Sequence, residues 1–253
     1  MKVLNLVLHS NRDDYNQMKE MTERYYSTAQ NVTTVYYQYS DSITTEYELS
    51  GNTLYIKGVE TYTPGIVNKT LAAFKYFNYD EYDYIVRSNI STIINFSILI
   101  PALESKPLDY GSTCAFGNLE WYGDMVWGTG TSIIFSRKTM QYIVENITLF
   151  DAYDKSRFLD DVCIGYFVRD HMPHVQHIQV LNLRWVPNFR DKPEELKAFL
   201  DTYIPTCAAY RNHNGDRSID IEQMKQILGA LEKSVRVKIN EQFCTPIRPK
   251  SSD

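Results

Sequence analysis

Apolar positions along this chain fall into alternating strand-like and helix-like patterns. Val3 to Leu8 is nearly all apolar, as expected of a strand covered on both faces. The polar stretch from Asp13 to Gln30 follows, with Tyr15, Met18, Met21 and Tyr25 at helical spacing. Thr33 to Tyr39 is β-branched and aromatic and predicts a second strand, and Leu54 to Lys57 predicts a short third. Thr63-Pro64 predicts a helix start, an N-cap followed by proline at the first helical position, with Val67, Leu71 and Phe74 on one face. Tyr84-Ile85-Val86 predicts another buried strand. Thr131 to Phe135 predicts a strand that runs straight into Ser136, a candidate N-cap, and a helix with Met140, Ile143, Val144 and Ile147 on its face. Ile221, Met224, Ile227, Leu228 and Leu231 predict a last amphipathic helix. Such alternation predicts an α/β fold, a mixed but mostly parallel central sheet flanked by helices. No internal repeat or low-complexity linker divides the chain. The expectation is one domain over 1–253, with 215–253 a helical closing segment and a frayed tail.

Composition narrows the classes. With 253 residues the chain can bury roughly 70–75% of its unfolded surface, so neither metal nor disulfide is needed for folding. A formal net charge of -5 argues against duplex nucleic acid as a partner, because phosphate contact draws on excess Lys and Arg. No apolar run approaches the roughly 18–20 residues of a membrane-spanning helix. The longest candidate, Ile93 to Leu103, contains Asn95, Ser97 and Pro101. The apolar start is followed at once by Asn11-Arg12-Asp13-Asp14 and reads as a first strand, not a signal peptide. Cys114, Cys163, Cys207 and Cys244 form no C-x-x-C pair, which fits reduced thiols in a cytoplasmic compartment, that of a host cell if the source is viral.

Several common chemistries lack their motifs. There is no dinucleotide G-x-G-x-x-G, no P-loop and no G-x-S-x-G elbow. His171, His174 and His177 sit three apart around Pro173, a poor spacing for a helical metal pair, so loop or surface positions are expected.

Two stretches carry a resemblance. Asp83-Tyr84-Ile85-Val86-Arg87-Ser88-Asn89-Ile90-Ser91 follows a helix containing Asn68-Lys69-Thr70-Leu71. Later, Gly128-Thr129-Gly130-Thr131-Ser132-Ile133-Ile134-Phe135-Ser136-Arg137 is followed by Asp160-Asp161-Val162-Cys163-Ile164-Gly165. In order and spacing, over roughly residues 1 to 185, the set resembles GT-A glycosyltransferases. The likeness is to the β-1,3-galactosyltransferase and Fringe-like group and to small enzymes of capsular polysaccharide clusters and large DNA viruses. The resemblance implies transfer of a sugar from a nucleotide sugar, a UDP-sugar in particular, to a glycan or oligosaccharide hydroxyl with inversion.

Glycosyl transfer needs a carboxylate to take the proton of an acceptor hydroxyl as the sugar carbon becomes oxocarbenium-like. By resemblance the second acid of the pair is the base, hence Asp161, with Asp160 positioning it or the acceptor. The same pair would also serve simply as the favourable acidic start of a helix. The sequence departs from the family at the metal motif. Where Asp-x-Asp usually holds Mn²⁺ or Mg²⁺, this chain has Asn89-Ile90-Ser91, so any ion is weakly held or dispensable. Asn89, Ser91 and the late His213 are the residues left to hold one.

In open α/β sheets ligands sit beyond the carboxyl ends of strands. That rule makes His9, Ser10 and Asn11 donor-binding candidates, with Asp41 after the second strand as runner-up. Arg87, with Arg211, His213 and Arg217, offers positive charge to a diphosphate. Lys69 either reaches a phosphate or stays solvated on its helix. Trp121, Tyr122, Trp127 and Gly130, in an aromatic and glycine-rich stretch, are the acceptor-binding candidates. Two competing readings come from other classes. One is a catalytically silent carbohydrate- or nucleotide-sugar-binding protein on the same fold, suggested by the missing metal carboxylates. The weaker other is an α/β enzyme using a different nucleotide-type cofactor, such as a methyltransferase.

Overall fold

The computed structural model describes residues 1–117, 125–180, 183–234 and 244–246. Its strands are β1 (Val3–Leu8), β2 (Val32–Ser40), β3 (Tyr47–Ser50), β4 (Thr53–Lys57), β5 (Tyr84–Asn89), β6 (Thr92–Ile94), β7 (Tyr110–Ser112), β8 (Ala115–Gly117), β9 (Val126–Gly128), β10 (Ser132–Ser136), β11 (His177–Val180), β12 (Leu183–Val186), β13 (Ala209–Asn212) and β14 (Cys244–Pro246). Its helices are α1 (Asp13–Tyr26), α2 (Gly65–Tyr76), α3 (Phe96–Ser105), α4 (Arg137–Glu145), α5 (Asp160–His171), α6 (Pro193–Tyr203) and α7 (Arg217–Lys233).

A nine-stranded sheet, in the order β14-β11-β7-β10-β5-β1-β2-β4-β3, forms the centre. β4, β2, β1, β5, β7 and β11 share one direction, against β3, β10 and β14. The fold is therefore α/β, with a mixed, mostly parallel sheet between helices.

Period-two alternation assigns the two faces. Leu4, Leu6, Ile85, Ile133 and Phe135 pack with Val67, Leu71 and Phe74 of α2, Met140 and Ile143 of α4, and Cys163, Ile164 and Phe167 of α5. On the other face Val3, Val86 and Ile134 meet Ile98, Leu99, Ala102 and Leu103 of α3. Val7 and Tyr36 meet Met18 of α1 and Met224, Ile227 and Leu228 of α7. Burial on both faces is why β1, and the first half of β5, read as nearly unbroken apolar runs.

Several boundaries move from their expected places. α1 stops at Tyr26, short of Gln30, and α2 begins at Gly65 with Pro64 in the cap position and no side-chain cap from Thr63. Ser136 caps α4 as predicted, its hydroxyl accepting from the Thr139 N–H. The apolar run from Ile93 to Leu103 divides into β6 and α3, and α3 carries Pro101 inside it. His177 lies buried in β11, where Nε2 contacts the Ser112 hydroxyl at 2.9 Å, so the expected loop or surface position is corrected for this histidine. Cys163 and Cys207 are buried free thiols and Cys114 is a partly exposed one. Among the described residues no helix is long and apolar enough to cross a membrane.

Strand order places a switch point. The chain goes from β1 outward to β2 and β4, then returns through α2 to β5 on the opposite side of β1. At such a reversal the loops beyond the carboxyl ends part and leave a crevice. A three-stranded sheet, β12-β13-β6, stands beside it, β6 following directly from the end of β5.

Candidate active site

A cavity of about 540 Å³ occupies that crevice. His9, Ser10 and Asn11 enter it from the end of β1, and Arg87, Asn89 and Ser91 from the end of β5. Gly130 comes from the loop before the antiparallel β10, Asp160 and Asp161 from the start of α5, Lys69 from α2, and Arg211 and His213 from the end of β13. Most of the candidate residues, separated by up to about two hundred positions in sequence, thus line one space. Asp41 is exposed after β2 and does not line it. Trp127 is 3% exposed and packs with Met125 and Val162 away from the cavity, in a core position and not on an open platform. Trp121 and Tyr122 lie outside the described residues.

The adjacent acids have different surroundings. Asp160 is 3% exposed, and its Oδ2 meets Arg87 Nη2 at 2.6 Å and accepts from the Thr70 hydroxyl at 2.8 Å. Tyr37 OH lies 3.0 Å from Thr70 Oγ1 and extends the network into β2. Arg87, 1% exposed, also donates Nη1 to Asn89 Oδ1 at 2.9 Å and to the Gly130 carbonyl at 2.5 Å. Burial is the largest influence and disfavours its charge, but Asp160, with Tyr37 and Asp161 adding to it, holds the guanidinium above its ordinary pKa.

Asp161 is partly buried and has no guanidinium of its own. Its Oδ2 accepts from the Gly130 N–H at 2.8 Å and its Oδ1 from the Val162 N–H at 2.9 Å, in the first turn of α5. Burial, then the neighbouring Asp160 charge, raises its pKa well above the usual carboxylate range, against the two N–H groups and Arg87. Gly130 makes this arrangement possible. A Cβ there would lie 2.8 Å from Arg87 Nη1 and 3.4 Å from Asp161 Oδ2.

Lys69 is fully buried, which corrects the reading of a solvated helix lysine. Its Nζ donates to the His9 carbonyl and to both Glu60 oxygens, each at 2.7 Å. His9 places Nδ1 2.6 Å from Gln38 Oε1, and its buried Nε2 has no partner. Burial lowers its pKa, with Lys19 and Lys69 adding to the effect against the Gln38 contact.

The structure adds Arg12, Tyr15, Glu60 and Tyr62 to the lining. Tyr15 lies between Arg12 and Arg217, whose guanidinium carbons stand 4.9 and 5.4 Å from its ring centre. Arg12 directly follows a candidate triplet and was within reach of sequence reasoning. Glu60 and Tyr62 belong to a loop with no periodic signal.

The residues at the expected metal position do not suit a divalent ion. Hard cations take oxygen ligands, preferably carboxylates. Here the Asn89 oxygen is taken by Arg87, and the Ser91 hydroxyl by Arg211 Nη1. A cation between them would sit against two guanidinium groups. His213 is exposed, and among the described residues no group of three or more His, Cys, Asp and Glu could hold a metal ion.

Together these features define an open α/β protein with a cation-lined cavity at its topological switch point. No protein-family model matches the chain, and no curated protein sequence matches it. Among solved structures it is similar to the apo form of the glycosyltransferase GlyE of Streptococcus pneumoniae TIGR4, at 9% identity and a TM-score of 0.44, over 99% of this chain and 66% of that one. A second structure of GlyE gives the same identity and TM-score over 100% of this chain and 66% of its own. The chain thus spans just under two thirds of those structures, and so distant a likeness carries no function across.

Proposed function

We propose that this protein is a glycosyltransferase that moves a sugar from a nucleotide sugar, a UDP-sugar in our reading, to a glycan hydroxyl with inversion. The observation that carries the reading is the division of labour between two adjacent carboxylates in one cavity. Asp160 is neutralised and fixed by Arg87 and Thr70. Asp161 has a raised proton affinity and no cationic partner of its own. Environments that separate two acids in this way assign them different chemical roles.

In the proposed step the acceptor hydroxyl gives its proton to Asp161 as its oxygen bonds to the anomeric carbon. The bond from that carbon to the phosphate oxygen breaks on the opposite face, and the nucleoside diphosphate leaves with the electron pair. One displacement inverts the centre. A base whose pKa lies nearer neutrality than a free carboxylate takes the proton more effectively. The Gly130 and Val162 N–H groups keep its oxygens oriented.

The test is release of nucleoside diphosphate from a panel of nucleotide sugars, with and without glycan acceptors. Turnover lost in Asp161→Asn while donor binding persists supports the transferase. The engaged oxygens of Asn89 and Ser91 favour the second reading, a nucleotide-sugar-binding protein without turnover. Tight donor binding with no release for any pair would support it. No binding of any nucleotide sugar would sink both.

A further inference from the structure

We infer that the cavity binds the diphosphate of its ligand through guanidinium groups, Arg211 foremost, in place of a divalent metal ion. This rests on the nucleotide-sugar reading for the identity of the ligand, not for the existence of the anion site. The chain as a whole carries a net charge of -5, yet Arg12, Lys69, Arg87, Arg211 and Arg217 line the cavity against only Glu60, Asp160 and Asp161.

Among these cations Arg211 differs from the rest. Arg12 is paired with Asp14, Lys69 with Glu60, Arg87 with Asp160 and Arg217 with Asp220. Among the described residues Arg211 has no carboxylate partner. Its Nη1 donates to the neutral hydroxyls of Ser91 and Thr92, the latter at 3.3 Å, and its Nε is buried with no partner. Burial, with Arg217 and Arg87 nearby, pushes its pKa down to about 10, so it stays charged near neutrality at a cost that an anion would relieve.

The backbone fixes this group at the mouth of β5. Arg211 pairs with Thr92 across β13 and β6, and the Asn212 N–H donates to the Ser91 carbonyl at 3.0 Å. A guanidinium is therefore held in the cavity lining just beyond the carboxyl end of β5, against Ser91 and Thr92. Planar guanidinium donors match phosphate oxygens in pairs. Arg217, on the Tyr15 side and anchored to Asp220 at 2.7 Å, is the neighbouring donor. Excess positive charge facing the leaving group would stabilise the diphosphate as it departs, a task otherwise given to the ion.

Calorimetric titration tests the inference with inorganic pyrophosphate, UDP and uridine as probes, in EDTA and again with Mn²⁺ or Mg²⁺. The expected result is pyrophosphate and UDP binding in EDTA, with UDP affinity changing no more than about twofold on adding metal, since the proposed contacts are charge-assisted hydrogen bonds from the protein. Arg211→Met should weaken UDP at least about 10-fold, the loss of one such hydrogen bond, and leave uridine affinity unchanged. Arg211→Lys, which keeps the charge and loses the fork, should fall between. Ser91→Asp, which gives Arg211 a carboxylate partner, should weaken pyrophosphate in EDTA and provides a second variant should Arg211→Met unfold. Thermal melts identify the folded variants.

UDP binding that vanishes in EDTA and returns with Mn²⁺ would overturn the inference. So would wild-type UDP affinity in folded Arg211→Met, or no pyrophosphate binding in EDTA. Pyrophosphate and UDP binding in EDTA without turnover of any nucleotide sugar would leave the anion site standing and remove the transferase reading. Turnover that requires metal would do the reverse.

Discussion

Replacing Arg87 by Met removes the counter-charge of a carboxylate that is 3% exposed. Water cannot take over, and the side chain also surrenders its bonds to Asn89 and the Gly130 carbonyl. Breaking a buried pair from one side costs about 3–5 kcal/mol, which at a urea m-value of about 3 kcal/mol/M lowers the unfolding midpoint by about 1 to 1.7 M. Asp160→Asn strands the guanidinium instead and should cost a similar amount, although its amide oxygen still accepts from Thr70. In Arg87→Met/Asp160→Asn neither charge remains, so the double variant should recover about 2 kcal/mol relative to the sum of the singles. Urea titration of the four proteins by circular dichroism gives the cycle directly. Single variants costing less than about 1 kcal/mol, or a coupling below about 0.5 kcal/mol, would refute the claim that this pair holds the floor of the cavity.

The remaining predictions concern the same floor and its supports. Turnover should rise with pH through a limb above the ordinary carboxylate pKa of 3.8, because Asp161 as the proposed base has to be ionised and its folded-state pKa is raised by burial and Asp160; a limb at the ordinary value would contradict this. The stability sign is opposite. A carboxyl with a raised folded-state pKa binds protons more tightly in the native state, so stability falls as pH rises from the unfolded pKa through the folded one, and thermal melts should show Asp161→Asn gaining Tm at neutral pH. Gly130→Ala should lose about 1–3 kcal/mol, because its Cβ would lie 2.8 Å from the fixed Arg87 Nη1, and should reduce turnover in the same assay. Ser136→Ala, far from the cavity chemistry, should cost about 1 kcal/mol through the lost cap of α4 and leave UDP binding unchanged.

What the sequence revealed follows from the physics of each segment. β1 and the first half of β5 are covered on both faces, so they read as nearly unbroken apolar runs, and the strand ends mark the switch point. The Gly128-Thr129-Gly130 segment and the Asp160-Asp161 pair stand out because close backbone approach and a helix start constrain residue type locally. Lys69 was ambiguous because its Glu60 partner comes from a loop set by tertiary structure, not by helical spacing. Arg211 could be named as a cation but not placed. Its row depends on β6, β12 and β13, strands of three or four residues, too short for a periodic signal. His177 escaped for the same reason, on a four-residue strand. α3 is apolar enough to be buried and contains a proline that removes one backbone donor, so no amphipathic stripe announced it. Trp127 illustrates the opposite error. An aromatic in a glycine-rich stretch suggested a sugar platform, while Gly165 lets the α5 backbone pack directly against its Cβ.

The central claim is that Asp161 is the base of a sugar transfer. Nucleoside diphosphate release by wild-type protein and Asp161→Asn, at saturating nucleotide sugar and acceptor and with donor affinity measured in parallel, tests it most directly. A fall in turnover of about 10²- to 10⁴-fold with donor affinity preserved is the predicted result. Turnover in folded Asp161→Asn equal to wild type would contradict the account.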